Sequence, residues 1–156
     1  MARTDYYYSD EAPKVNSIVA AASAIVTLKD GKIVLHKRVD NKEWSLLGGG
    51  MEYGESISET ILREIKEESG LNCEIHKVIG IYTNPNHVIA YSDGEVRQEF
   101  SICFHCIADD GKIIVSDEST EVRAFTRDEI ELLCLHPAQK IRIDDYFRKE
   151  AEAFIR

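Results

Sequence analysis

No stretch of this chain is long and apolar enough to cross a bilayer. The longest apolar run, residues 18–28, covers about half of the roughly 20 residues a spanning helix needs, and it carries Ser23 and Thr27 inside it. The first residues lack the shape of a signal peptide: Asp5, Asp10 and Glu11 surround Tyr6, Tyr7 and Tyr8, where a basic start and an apolar core are required. A cytoplasmic location is the expectation. Cysteine is scarce, and four in 156 residues do not make the disulfide framework of a small secreted domain. Positive charge is short as well, with 19 Lys and Arg against 28 Asp and Glu and a net charge of −9. Diffuse negative charge disfavours unspecific binding to nucleic acid or to an anionic membrane. An acidic chain that binds a phosphate needs metal ions or local arginines to overcome the repulsion.

What is present suits one folded domain: 44% of the residues are hydrophobic and 30% charged. Residues 1–14 read as a polar, acidic N-terminal arm ending at Pro13, either loose or packed through its tyrosines, and residues 15–156 as a single domain. Residues 17–28 and 32–38 read as strands joined at Asp30-Gly31 into a hairpin. The short apolar stretch 44–47 runs into Gly48-Gly49-Gly50, a loop whose backbone can bend sharply or approach another group closely. Residues 56–69 read as a helix. Ser56 and Glu59 form a capping box, Ile57, Ile61 and Ile65 recur at helical spacing, and Gly70 is the stop signal. Residues 74–83 and 98–108 read as further strands, with a polar, turn-rich segment 84–97 between them. Residues 121–125 are a last strand, a short helix starts at Thr126 or Asp128, and Pro137 opens a final helix in which Ile143, Phe147, Ala151 and Phe154 or Ile155 keep helical spacing. The sum is an α/β fold with mixed connections.

The chemistry concentrates in the glycine loop and the helix after it. Glu64, Glu67 and Glu68 fall within an arc of about 100° on that helix. Like charges at these spacings repel by a few tenths of a kcal/mol each. A solvated acidic face is the bland explanation. A hard divalent cation is the alternative, because carboxylate oxygens are the ligands Mg²⁺ prefers and Mg²⁺ keeps positions open for phosphates.

The full pattern is more specific. Gly49, five residues, Glu55, seven residues, then Arg63-Glu64-Ile65-Lys66-Glu67-Glu68-Ser69-Gly70-Leu71 resembles the Nudix box over residues 49–71, with Glu52 and Gly54 as its common extension. The resemblance implies a Nudix-like α/β/α sandwich around a mixed β-sheet. It implies a hydrolase of the phosphoanhydride in a nucleoside diphosphate linked to another group, assisted by one to three Mg²⁺ or Mn²⁺ ions. By position Glu67 and Glu68 are the main metal ligands, and Glu64 is a further ligand or the base that activates water. The Gly49 carbonyl is a further metal contact, and Glu55 and Arg63 are an ion pair fixing loop against helix. Leu47, Thr60 and Ala124 depart from common family residues, and none is a metal ligand. The general base in many relatives lies outside the box, which makes Glu99, Glu118 and Glu121 candidates.

Other residues attach to the substrate side. Tyr82, Tyr91 and Arg97 flank the turn-rich segment, which is expected to cover one edge of the site and to supply an aromatic for base stacking and an arginine for phosphate. His87 lies in the same segment and Glu99 just after it. Trp44 is expected to pack beneath the glycine loop. Cys103 and Cys106 have CxxC spacing but lie on a strand reading, where side chains three apart point to opposite faces, so a metal or redox role is not expected. The expected partner is a small-molecule nucleotide, with no nucleic acid or membrane, and a homodimer is open. ADP-ribose or another nucleotide sugar is the first substrate reading. A (d)NTP pyrophosphohydrolase and a non-catalytic ligand-sensing domain are the alternatives. The sensing reading is weakened because every box carboxylate is present.

Overall fold

A computed structural model describes residues 2–156. Its elements in order are β1 (Arg3–Tyr7), β2 (Ser17–Ile18), β3 (Ala21–Thr27), β4 (Ile33–Arg38), β5 (Trp44–Gly50), α1 (Ile57–Ser69), β6 (Cys73–Tyr82), β7 (His87–Tyr91), β8 (Val96–Gln98), β9 (Ser101–Ala108), β10 (Ser119–Phe125), α2 (Arg127–Glu131), α3 (Pro137–Phe147) and β11 (Phe154–Ile155). The larger sheet has seven strands in the order β10-β4-β5-β3-β9-β6-β11. It is mixed: β3 runs parallel to β9 and β11 parallel to β6, while its other pairings are antiparallel.

The strand β3 shows why the sheet sits in the middle of the molecule. Its residues 22–27 are all buried, with no polar alternation, as expected of a strand covered on both faces. Ala22, Ala24 and Val26 pack with Ile61, Ile65 and Leu71 on the α1 side. Ile25 packs with Ile130 and Ile143 on the side of α2 and α3. The result is an α/β/α sandwich. Cys103 and Cys106 join opposite cores, as their strand spacing requires.

The hairpin of β3 and β4 forms only at its base, where Val26 pairs with Val34 and Thr27 with Ile33. Further along, β5 wedges between the two strands, pairing Leu46 with Leu35 and Leu47 with Ala24. The three glycines are therefore the end of a central strand rather than a loop. Trp44, at the other end of β5, does not lie beneath them. It packs edge-on against Phe125, ring centroids 4.8 Å apart.

Three further differences from the sequence expectations have clear causes. The turn-rich segment 84–97 holds β7 and part of β8, an antiparallel pair in a second sheet ordered β1-β7-β8-β2. Residues 3–7 are the edge strand of that sheet, in full register with β7 from Arg3↔Tyr91 to Tyr7↔His87. The last helix stops at Phe147, since Lys149 adopts the left-handed conformation (φ 54°). Phe154 and Ile155 then form a strand along Gly80 and Ile81. Arg156 anchors that strand by donating to both oxygens of the buried Asp145.

Candidate active site: a carboxylate cleft beside a glycine strand

Local sequence explains the placement of α1. Ser56 accepts the backbone N–H of Glu59 while the Glu59 carboxylate accepts that of Ser56 at 2.7 Å, and Gly70 closes the helix with φ 75°. Burial of Ile61 and Ile65 turns the neighbouring Glu64 and Glu68 toward the rim of β5. There Glu68 accepts the N–H of Gly48 at 2.7 Å. Arg63 donates to the carbonyl of Gly50 at 3.1 Å. A Cβ on Gly49 would fall inside contact distance of the Glu64 carboxylate. Gly49→Ala is accordingly expected to push Glu64 aside. Displacement of a site carboxylate by about 1 Å costs on the order of 10²-fold in turnover, which steady-state kinetics on the variant would measure.

Arg63 is the hub of the cleft. It donates to both oxygens of Glu55, to Glu64 at 2.9 Å and to Glu67 at 3.1 Å. These hydrogen bonds hold the Glu55 carboxyl down at about 2. Thr60, a departure from the family pattern, is fully buried and donates its hydroxyl to Glu55 at 2.9 Å, so it helps to fix the same carboxylate.

Glu52, Glu64, Glu67, Glu68 and Glu118 line one cleft of about 670 Å³. Burial, with repulsion from Glu64 and Glu118, pushes the Glu68 carboxyl up to about 8 against the opposing Gly48 hydrogen bond. Burial also raises Glu64, which Glu67 and Glu118 repel while Arg63 pulls it down. His36 stands 3.4 Å from Glu68, with its Nδ1 2.7 Å from the Ser119 hydroxyl. Burial and then Arg38 lower His36 to about 4, so it is a neutral neighbour and not an ion-pair partner.

Among the described residues no three His, Cys, Asp or Glu side chains converge closely enough, as placed, to hold one ion. Glu64 and Glu67 instead lean on Arg63. The donor set still suits a hard divalent cation. It is a group of carboxylates in mutual repulsion, and Glu67 is more than half exposed and free to swing inward.

Beside the cleft lies a hollow of about 150 Å³ that shares the Gly48 and Gly49 backbone with it. Ile89, Tyr91 and Arg97 of the small sheet line this hollow, and the Arg97 guanidinium lies 4.6 Å from the Tyr91 ring centroid. Glu95 raises the Arg97 pKa through two hydrogen bonds. His87 and Glu99 reach the same hollow but are buried and engaged. Burial would lower His87, yet the Asp5 and Glu99 carboxylates outweigh it and raise the pKa. Burial would likewise raise Glu99, which His87 and Arg142 bring down.

Tyr82 is corrected by the structure. It is 2% exposed, its hydroxyl donates to Asp145 at 2.9 Å, and Arg142 lies over its ring, so it is a core residue outside both the cleft and the hollow. The three outer glutamates separate as well. Glu99 is tied to Arg142 at 2.6 Å and to the Asn84 N–H at 3.2 Å. Glu121 is exposed and pairs with Lys37 at 3.9 Å. Glu118 lines the carboxylate cleft. A bulge between Ser119 and Glu121 changes the register of β10 there. His36, Arg38 and Arg3 also line the cleft and were not singled out from sequence. The strand alternation that aligns His36 with Arg38 was a usable signal; the position of Arg3 was not readable before β1 had a partner.

The NUDIX domain family matches residues 18–146. An ADP-ribose pyrophosphatase of Methanocaldococcus jannaschii is 32% identical over 128 residues, 77% of this chain and 68% of that protein. A nucleoside triphosphatase NudI of an Enterobacter species is 32% identical over 102 residues, 64% of this chain and 72% of that protein. A NUDIX hydrolase of Nitrosomonas europaea superposes with a TM-score of 0.71 at 20% identity, covering 92% of this chain and 81% of that one. With the capped helix, the glycine strand and the carboxylates between them arranged as described, the chain belongs to the Nudix family of hydrolases.

Proposed function

We propose that this hydrolase cleaves the diphosphate of a nucleoside diphosphate linked to another group, with ADP-ribose or another nucleotide sugar as substrate class. One observation carries the reading: the carboxylate cleft and the aromatic-lined hollow meet at the Gly48-Gly49 backbone. A diphosphate at that junction has room on both sides, for a nucleoside in one cavity and a second group in the other. The similarity to an ADP-ribose pyrophosphatase supports it. The similarity to a nucleoside triphosphatase keeps a (d)NTP as the second reading.

Nudix hydrolases depend on divalent metal ions, and the ion proposed here is Mg²⁺ or Mn²⁺, held by Glu64, Glu67 and Glu68 with the Gly49 carbonyl as a further contact. When bound, such an ion neutralises phosphate charge and acidifies water. The remaining roles belong to the chain itself. Arg63 keeps Glu55, Glu64 and Glu67 in one place, and neutral His36 packs against Glu68 without discharging it. Glu118 faces the cleft as the general base outside the box, able to accept a proton from the attacking water.

Incubation with Mg²⁺ and a panel of nucleotide sugars, dinucleoside polyphosphates and (d)NTPs, with products identified by mass, tests the proposal. A nucleoside monophosphate plus a phosphorylated sugar is the expected pair; a monophosphate plus pyrophosphate from (d)NTPs alone would replace the first reading with the second. Activity should vanish with a chelator and return with Mg²⁺ or Mn²⁺. Full turnover after exhaustive metal removal would overturn the metal assignment.

A further inference from the structure

A nucleoside diphosphate brings negative charge to a cleft already lined by five glutamates, so the cations at its mouth matter. Arg3, Arg38, Arg63, Arg97 and the buried Arg142 border the cleft or the hollow. Arg63 is committed to the box carboxylates. Arg38 donates twice to Asp40, and Arg97 twice to Glu95. Arg3 donates twice to Asp5, at 3.0 and 3.1 Å, and His87 Nε2 lies 3.0 Å from the same carboxylate. His87 Nδ1 in turn lies 3.3 Å from Glu99, which accepts from Arg142. Arg3, Asp5, His87, Glu99 and Arg142 thus form a row of alternating sign. Of the five, Arg3 is the one that borders the carboxylate cleft.

Strand geometry puts Arg3 there. Side chains alternate along β1, so Arg3, Asp5 and Tyr7 share a face. Antiparallel register places that face with Tyr91, Ile89 and His87 of β7. Tyr7 closes the row, its ring 5.8 Å from His87 and 5.3 Å from His136. Residues 3–7 lie outside the segment 18–146 that matches the family.

We propose that β1 is a substrate-gripping strand whose Arg3 binds a phosphoryl oxygen of the nucleotide at the mouth shared by cleft and hollow, with Asp5 as its positioning residue. The inference rests on the nucleoside diphosphate reading above. The guanidinium fork matches a phosphate with two N–H donors, and Asp5, itself held by His87, fixes the fork before substrate arrives.

The test is the affinity of the full chain, with Mg²⁺ present, for adenosine 5′-(α,β-methylene)diphosphate, whose bridging carbon cannot be hydrolysed. Arg3→Ala should weaken binding roughly 10- to 100-fold, the loss of a charge-assisted hydrogen-bond pair, with a melting temperature within about 2 °C of wild type. Arg127→Ala, which removes the same charge away from both cavities, should bind as wild type. Asp5→Asn should weaken binding less than Arg3→Ala does, and should add nothing in the double variant, because both act through one contact. A purely structural Asp5 would instead give additive losses. Should Arg3→Ala melt well below wild type, Arg3→Lys decides: weakened binding at the native melting temperature supports the grip, and unchanged binding overturns it. Wild-type affinity in Arg3→Ala overturns the inference while leaving the substrate reading intact. Failure of the wild-type protein to bind the probe removes the nucleoside diphosphate reading and the inference with it.

Discussion

Glu68→Gln is expected to lower turnover by about 10²- to 10⁴-fold, the range for loss of a central catalytic group, with the melting temperature unchanged or raised. Both halves follow from the site. Glu68 is 4% exposed and accepts the Gly48 N–H, a bond that the amide oxygen of glutamine can keep. Its charge is a liability to the fold, being buried and repelled by Glu64 and Glu118. Glutamine spares the fold the cost of ionising that buried group and opens no cavity. Catalysis has the opposite interest, since the same charge is what a divalent ion would bind. Kinetics with the best substrate and a thermal melt on one preparation check the pair of outcomes. Near wild-type turnover would remove Glu68 from the catalytic machinery.

Arg63→Ala should behave differently, losing stability and activity together. Its guanidinium reaches Glu55, Glu64, Glu67 and the carbonyl of Gly50, so its removal takes a charged donor from three carboxylates and one carbonyl. Breaking a fully buried ion pair costs about 3–5 kcal/mol. Arg63 is partly open to solvent, which reduces the cost to about 2 kcal/mol, or about 4–8 °C in melting temperature for a domain of this size. Turnover should fall by about 10²-fold, because α1 loses its tie to the glycine strand and the carboxylates lose their placement. Lysine should rescue little of either, having one point charge where the guanidinium serves several acceptors at once. A normal melt for Arg63→Ala would show that the hub is dispensable to the fold.

The helix carrying Glu68 and Arg63 was legible to its caps. Its determinants are local: a capping box three residues wide, isoleucines one turn apart and a glycine stop, all read within one window. The glycines were legible as a close approach of backbone, but not as the end of a central strand, because that depends on β5 entering between β3 and β4. Glu118 and Glu121 were equivalent candidates until β10 paired with β4, which left Glu121 exposed beside Lys37 while Glu118, just before the strand, lined the cleft. A strand's partner is chosen across the whole chain, and neither strand announces it alone. Tyr82 read as a substrate-side aromatic beside a turn, and became a core residue once α3 brought Asp145 to its hydroxyl from 63 positions away. The terminal residues misled in the same way. Phe154 and Ile155 kept helical spacing with Phe147, yet Gly80 and Ile81 offered them a sheet edge.

The amino-acid sequence by itself determined the carboxylate cluster: which carboxylates gather, which arginine holds them and which helix presents them, since all of these lie within one turn or one short loop of each other. Tertiary structure decided the surroundings. It alone brought His36 against Glu68, turned Glu118 into the cleft, and carried Arg3 from the N-terminal strand to the mouth of the site. The division has one physical cause. Helix caps and periodicity are set by neighbours three or four residues apart, whereas strand partners and register are chosen by burial across the whole chain.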